Sequence, residues 1–178
     1  MSNDGNAGLQ LSGARVLVMG DLILDRYWFG STDRISPKAP VPVVNIAKDD
    51  LRPGGAANVA VNVVSLGGQV TLLGVVGNDE PAELLPKLLI GHGVNIDFVR
   101  SNSNPTITKL RVVSRNQQPI RLDFESSFYA AQAFDESEIF RRYCAVLPDV
   151  ETCSFARRIA PLCLPRLPLP GKCCHAVV

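Results

Sequence analysis

Neither sign of charge dominates this sequence: 18 lysines and arginines stand against 17 aspartates and glutamates in 178 residues, a formal net charge of +1 at pH 7. Without a global basic field, nothing in the composition calls for a nucleic acid or an anionic membrane as partner, and any phosphate site must be a local arrangement of side chains. Long hydrophobic runs are missing too. No apolar stretch reaches the roughly 20 residues that span a bilayer, and the polar start Met1-Ser-Asn-Asp-Gly-Asn-Ala-Gly lacks the basic-then-apolar order of a secretory signal. A cytoplasmic protein is expected. Cysteine is absent from the whole first part of the chain: Cys144, Cys153, Cys163, Cys173 and Cys174 all come late. That distribution does not suit a disulfide framework stapling the fold, and the missing paired two-residue spacing argues against a structural zinc site.

The remainder is an ordinary globular balance, 46% hydrophobic and 20% charged, at a length suited to one domain. Ala14-Arg-Val-Leu-Val-Met-Gly20 reads as a buried parallel strand ending in a loop, with Asp21 and Asp25 at its carboxyl end. Val41-Pro-Val-Val-Asn-Ile46 reads as a strand that its prolines confine to an edge. Pro53-Gly-Gly55 punctuates the chain before a helix over Ala56–Leu66, stopped by Gly67-Gly68. A second buried strand covers Gln69–Val76 and a second helix covers Glu80–Ile90, where His92 caps the end. Strand, helix, strand, helix predicts an α/β fold with a largely parallel sheet. Thr106–Ser114 and Pro119–Phe124 alternate apolar with polar residues and form a half-exposed hairpin. Glu151–Val178 is rich in proline and shows neither helical nor strand period. A polar arm over 1–10, an α/β domain over 11–150 and an irregular tail over 151–178, of shifted reading frame or unrelated origin, are expected.

Several side chains are candidates for chemistry. Gly54 and Gly55 remove the side chains that would keep backbone N–H groups from a ligand, and the helix start behind them favours phosphate or sugar oxygens; the alternative is a plain turn. Asn58 offers a donor and acceptors to a polyol, or faces solvent. Asp25 can accept from two neighbouring sugar hydroxyls, or serve as a turn or cap residue. Lys109, Arg111 and Arg121, with Asp123, fall on the faces of the hairpin away from the core, as either the floor of a ligand cleft, where the three cations could meet a phosphate, or a solvated surface. Arg26, Arg34 and Arg52 flank these segments. Tyr27 and Trp28 either stack on a sugar or are buried.

Four segments in this order are diagnostic together: Gly20-Asp-Leu-Ile-Leu-Asp-Arg-Tyr-Trp28, Arg34-Ile-Ser-Pro-Lys-Ala-Pro-Val-Pro-Val-Val44, Arg52-Pro-Gly-Gly-Ala-Ala-Asn-Val-Ala60 and Thr106-Ile-Thr-Lys-Leu-Arg-Val-Val-Ser114 with its continuation to Gln118. From about Leu11 to about Val150 the chain resembles the ribokinase-like (PfkB) carbohydrate kinases. Within them it is most similar to the kinase domains of the bifunctional heptose 7-phosphate kinases and heptose 1-phosphate adenylyltransferases of lipopolysaccharide assembly. The resemblance implies an incomplete Rossmann-type parallel sheet with helices and a small β-lid, a lid that often mediates homodimers, and a sugar-phosphate substrate held by Asp25, Gly54, Gly55 and Asn58. It also implies ATP and Mg²⁺ as cofactors and transfer of the γ-phosphoryl to the C1 hydroxyl of D-glycero-β-D-manno-heptose 7-phosphate. The placement of Lys109, Arg111 and Arg121 near the substrate phosphate is inferred from charge. Two departures stand out. Lys38 occupies a position where relatives carry glutamate, and the late Gly-Ala-Gly-Asp motif that supplies the family's base and anion hole does not occur in these residues. An inactive chain that does not hold the nucleotide is therefore expected; a non-catalytic sugar-phosphate-binding or dimerising fragment is the alternative.

Overall fold

The structure, a computed structural model, describes residues 11–37, 41–114, 117–125, 135–156 and 174–177. Lys38, the arm over 1–10 and the stretch 157–173 lie outside the described residues. Two sheets organise the chain. The first has the order β5-β4-β1-β8-β9 and every neighbouring pair in it is parallel. Its strands are β1 (Arg15–Gly20), β4 (Gln69–Val76), β5 (Asn95–Arg100), β8 (Thr152–Ala156) and β9 (Cys174–Val177).

β1 sits in the middle of this sheet and is covered on both sides, which is why its run is apolar without alternation. Val16 and Val18 pack into a layer with Leu72, Leu85 and Leu89, whereas Leu17 and Met19 face the opposite layer with Leu73, Ile139, Tyr143 and Phe155. Helices α1 (Ala56–Ser65) and α2 (Glu80–Gly91) cover the first side and α3 (Glu136–Val146) the second. Each fully buried leucine among these contributes about 1.5–3 kcal/mol relative to exposure. Ala56, Ala57 and Ala60 have no exposed surface, so α1 meets the sheet through methyl groups and can approach it closely. α2 is capped at Asp79, whose side chain accepts from Ala82 N–H at 3.1 Å, and α3 at Asp135, which accepts from the N–H groups of Ser137 and Glu138.

The second sheet has the order β3-β2-β6-β7 and is built from β2 (Leu22–Ile35), β3 (Pro42–Gly55), β6 (Ile107–Ser114) and β7 (Gln117–Phe124). β2 pairs antiparallel with β3 and parallel with β6, and β6 pairs antiparallel with β7. The proline-rich strand is at an edge, as its prolines require. This is the small sheet expected of a lid, although it is larger than the sequence suggested.

Three expectations need correction. Asp25 is not in a loop at the end of β1: only Asp21 separates β1 from β2, and Asp25 lies inside β2. Pro53-Gly54-Gly55 is not a turn but the last three residues of β3. The irregular character read from residue 151 onward does not extend to Thr152–Ala156, which pairs with β1 in register and buries Cys153 and Phe155 at 1% and 2% exposure. β9 adds a further strand beside it.

Candidate functional site

The chain doubles back between β2 and β3, and the register decides what meets. Leu22 pairs with Gly55, Ile23 with Gly54 and Asp25 with Arg52, so the acidic segment and the glycine pair are neighbours in space. The contact is closer than strand pairing alone demands. A Cβ built on Gly54 would overlap Asp25 Oδ2 and stand 3.1 Å from its Cγ. A Cβ on Gly55 would stand 2.5 Å from the Asp21 carbonyl oxygen, and Gly55 has φ +58°. Glycine is thus required at 54 by proximity to the carboxylate and at 55 by the backbone itself. The Asp21 carbonyl oxygen accepts the first amide of α1, Ala56 N–H, at 2.9 Å. Asn58 is exposed on the first turn of α1, just beyond the glycine pair.

On the other side of β2, Asp25 pairs with Lys109 and Tyr27 with Arg111, and β6 in turn pairs Lys109 with Asp123 and Arg111 with Arg121. Register partners point to the same side of a sheet. One face of the second sheet therefore carries Asp25, Arg52, Lys109, Arg111, Arg121 and Tyr27 together. Arg111 Nη1 donates to Asp25 Oδ1, with the two side chains 18% and 21% exposed. The guanidinium groups of Arg52 and Arg111 lie over the Tyr27 ring at 4.7 and 5.1 Å, a geometry in which the ring quadrupole attracts both cations. Arg52 also donates to Asp50 at 2.8 Å, and that guanidinium holds the Asp50 carboxyl below its ordinary value. Arg121 bonds Asp123 through both Nε and Nη2 at 2.7 Å and lowers the Asp123 carboxyl in the same way.

The sequence candidates divide accordingly. Asp25, Gly54, Lys109 and Arg111 converge; Gly55 and Asn58 border them at the start of α1; Arg121 is exposed two strands away and engaged by Asp123. Tyr27 lies on the candidate face beneath two arginines, whereas Trp28 points to the other side, where Arg26 lies 5.9 Å from its ring. Arg26 itself is held by Asp49 and reaches Glu80 at the start of α2 at 3.2 Å. Beside the site, Asp79 accepts from Thr106 N–H and from the Thr106 hydroxyl, each at 2.7 Å, while the Thr106 hydroxyl oxygen accepts from Gly77 N–H at 2.9 Å. This knot fixes the point at which β6 leaves the core. The sequence reading assigned it no role; its signal was an aspartate just ahead of an apolar helical run.

The pfkB family carbohydrate kinase pattern matches residues 14–145, a span that contains every site residue named above. The chain belongs to the pfkB family of carbohydrate kinases. Among curated relatives of this pfkB-family chain, the bifunctional protein HldE of Aliivibrio salmonicida is 57% identical over 136 residues, which is 76% of this chain and 28% of that protein. The chain thus spans less than a third of the length of the curated relative it matches. Among solved structures, a carbohydrate kinase from Agrobacterium tumefaciens aligns with TM-score 0.58 at 17% identity, over 80% of this chain and 45% of that one. Phosphofructokinase-2 from Escherichia coli, solved in complex with fructose-6-phosphate, aligns with TM-score 0.54 at 20% identity, over 82% of this chain and 45% of that one. These likenesses establish the fold, a parallel sheet with helices on both sides and a second sheet beside it. No helix among the described residues is long and apolar enough to cross a membrane.

Proposed function

We propose that the face around Asp25 binds the acceptor sugar of a cytoplasmic kinase reaction, in which the ATP γ-phosphoryl passes to the C1 hydroxyl of D-glycero-β-D-manno-heptose 7-phosphate on the route to ADP-heptose. The observation that carries the proposal is the contact between Asp25 and Gly54. A half-exposed carboxylate, oriented through one oxygen by Arg111, keeps its second oxygen against a position that has no side chain. Such an oxygen can accept from sugar hydroxyls while the neighbouring cations attract the phosphate of the same molecule. Gly55 and Asn58 complete the polyol side, and Lys109, Arg111 and Arg121 supply the positive field. The likeness to HldE and the family's segments favour a heptose phosphate over other sugar phosphates.

The phosphoryl donor is a different matter. The family is one of carbohydrate kinases, whose phosphoryl donor is ATP with Mg²⁺, and none of the residues named above is assigned to holding it. The residues named above act on the acceptor: they bind it, orient it and balance its charge. The test is calorimetric titration of the chain with heptose 7-phosphate, before and after Asp25→Asn. Saturable binding that the substitution weakens by tenfold or more supports the assignment. Binding that is absent, or indifferent to Asp25→Asn, refutes it.

A further inference from the structure

Charge is unevenly compensated on the face that carries Asp25. Lys48 and Arg52 share Asp50, at 3.9 and 2.8 Å; Arg111 has Asp25; Arg121 has Asp123 at 2.7 Å. Lys109 is the exception. Among the described residues it has no carboxylate within ion-pair distance, although Asp123 opposite it in register is close enough to feel its charge. It is nevertheless half-buried, and it stands directly beside Asp25 across the β2–β6 pairing. Withdrawing an ammonium from part of its hydration costs free energy, and with no carboxylate in bonding range the neighbouring charges of Asp25 and Asp123 offset that cost only in part. A position of that kind is expected to be occupied by a lysine when the counter-ion arrives with a ligand.

We infer that Lys109 is the residue that distinguishes a phosphorylated acceptor from an unphosphorylated one, its ammonium meeting the phosphomonoester while Asp25 next to it holds hydroxyls. This rests on the proposed sugar site and divides the labour within it. Arg111 bonds Asp25 through Nη1 and Arg121 bonds Asp123 through Nε and Nη2, so the charge of each guanidinium is already partly balanced by a bonded carboxylate, whereas that of Lys109 is not. A lysine suits the task because a flexible point charge can follow a phosphate whose distance from the bound hydroxyls varies with sugar conformation. Because the cation is only half-shielded, the preference it confers should weaken as salt is added.

The experiment is equilibrium titration of the 178-residue chain, wild type and the variants Lys109→Gln and Lys109→Arg, with three probes: heptose 7-phosphate, the same heptose without its phosphate, and inorganic phosphate. Thermal unfolding of each variant is measured alongside to verify folding. Wild type should prefer the phosphorylated heptose. Lys109→Gln should lose about tenfold in affinity for it, equivalent to about 1.4 kcal/mol, leave the unphosphorylated heptose within twofold, and abolish the salt dependence of the preference. Lys109→Arg should keep most of the preference, and inorganic phosphate should bind far more weakly than the sugar ester. If wild type discriminates and folded Lys109→Gln discriminates equally well, the assignment of Lys109 is overturned while the sugar site stands. If wild type binds neither heptose, both fall. An equal loss for both heptoses also overturns it, since that would make Lys109 a general support of the site.

Discussion

Gly54→Ala tests the geometry of the site most directly, because in a strand this substitution would ordinarily be tolerated. Unlike Gly55, Gly54 does not have positive φ, so alanine is free to adopt its backbone and would restrict the unfolded chain, a gain of about 0.4–1 kcal/mol. Against this stands the new methyl. It would lie 3.2 Å from Ile23 Cβ and 3.1 Å from Asp25 Cγ and would overlap Asp25 Oδ2. Overpacking of this kind costs about 1–3 kcal/mol. Displacing the carboxylate also loosens its pair with Arg111, which at this exposure is worth at most about 1 kcal/mol. The net is a destabilisation of about 2 kcal/mol, which lowers Tm by about 4–8 °C for a chain of this size. Circular dichroism melts provide the measurement, and a double-mutant cycle with Asp25→Ala isolates the cause. With the carboxylate gone the obstruction is largely gone, so Gly54→Ala should then be close to neutral. An equal loss in both backgrounds, or a stabilised single variant, would refute the argument.

Asp79→Ala removes the cap of α2 and both acceptors for Thr106, and it should cost about 2–4 kcal/mol on the values for caps and charge-assisted hydrogen bonds. A urea midpoint close to that of wild type would contradict it. Glu138, bonded by Arg141 and Arg142, has its carboxyl lowered from 4.5 to about 2. A depressed folded value means that the unfolded chain binds the proton first, so the contribution is present above about 4.5 and disappears as pH falls toward 2. Glu138→Gln should therefore separate from wild type at pH 6 and converge with it below pH 3 in denaturant midpoints; a constant difference would count against the pairing. Leu89→Ala, at a residue with no exposed surface between α2 and the sheet, should cost about 2–5 kcal/mol in the same assay, and a loss under 1 kcal/mol would show that the layer is loosely packed.

What was legible in the sequence follows from how each element is buried. β4 was read with its full bounds, Gln69–Val76, and both early helices to within a residue or so, because a strand covered on two sides and a glycine-stopped helix each leave an unambiguous trace. β2 was missed since its two faces are both mixed: Leu24 enters the core while Asp25, Arg26 and Tyr27 serve ion pairs and ring contacts, so no period of two survives. The glycine pair was legible as a signal but not as a strand, because glycine punctuates most chains, and only the carboxylate lying against Gly54 explains its use here. α3 buries Ile139 and Tyr143 alone among charged neighbours, too narrow a stripe to register. β5 and β8 are short, at 6 and 5 residues, and their assignment depends on partners far away in sequence. Residue types at the site were readable; their pairing was not, because Asp25 meets Arg111 across 86 positions of chain.

β2 is a single 14-residue strand whose first residues, Leu22 and Leu24, are locked in the core at 1% and 0% exposure. Mechanically it is a cantilever, clamped at the root and free toward the tip. Its irregularities, at Phe29/Gly30 and between Thr32 and Arg34, both fall beyond Asp25, and bulges are where a paired ribbon bends most easily. Flexing of the outer sheet will therefore be taken up past the carboxylate, and the root of the site should stay still while its roof moves.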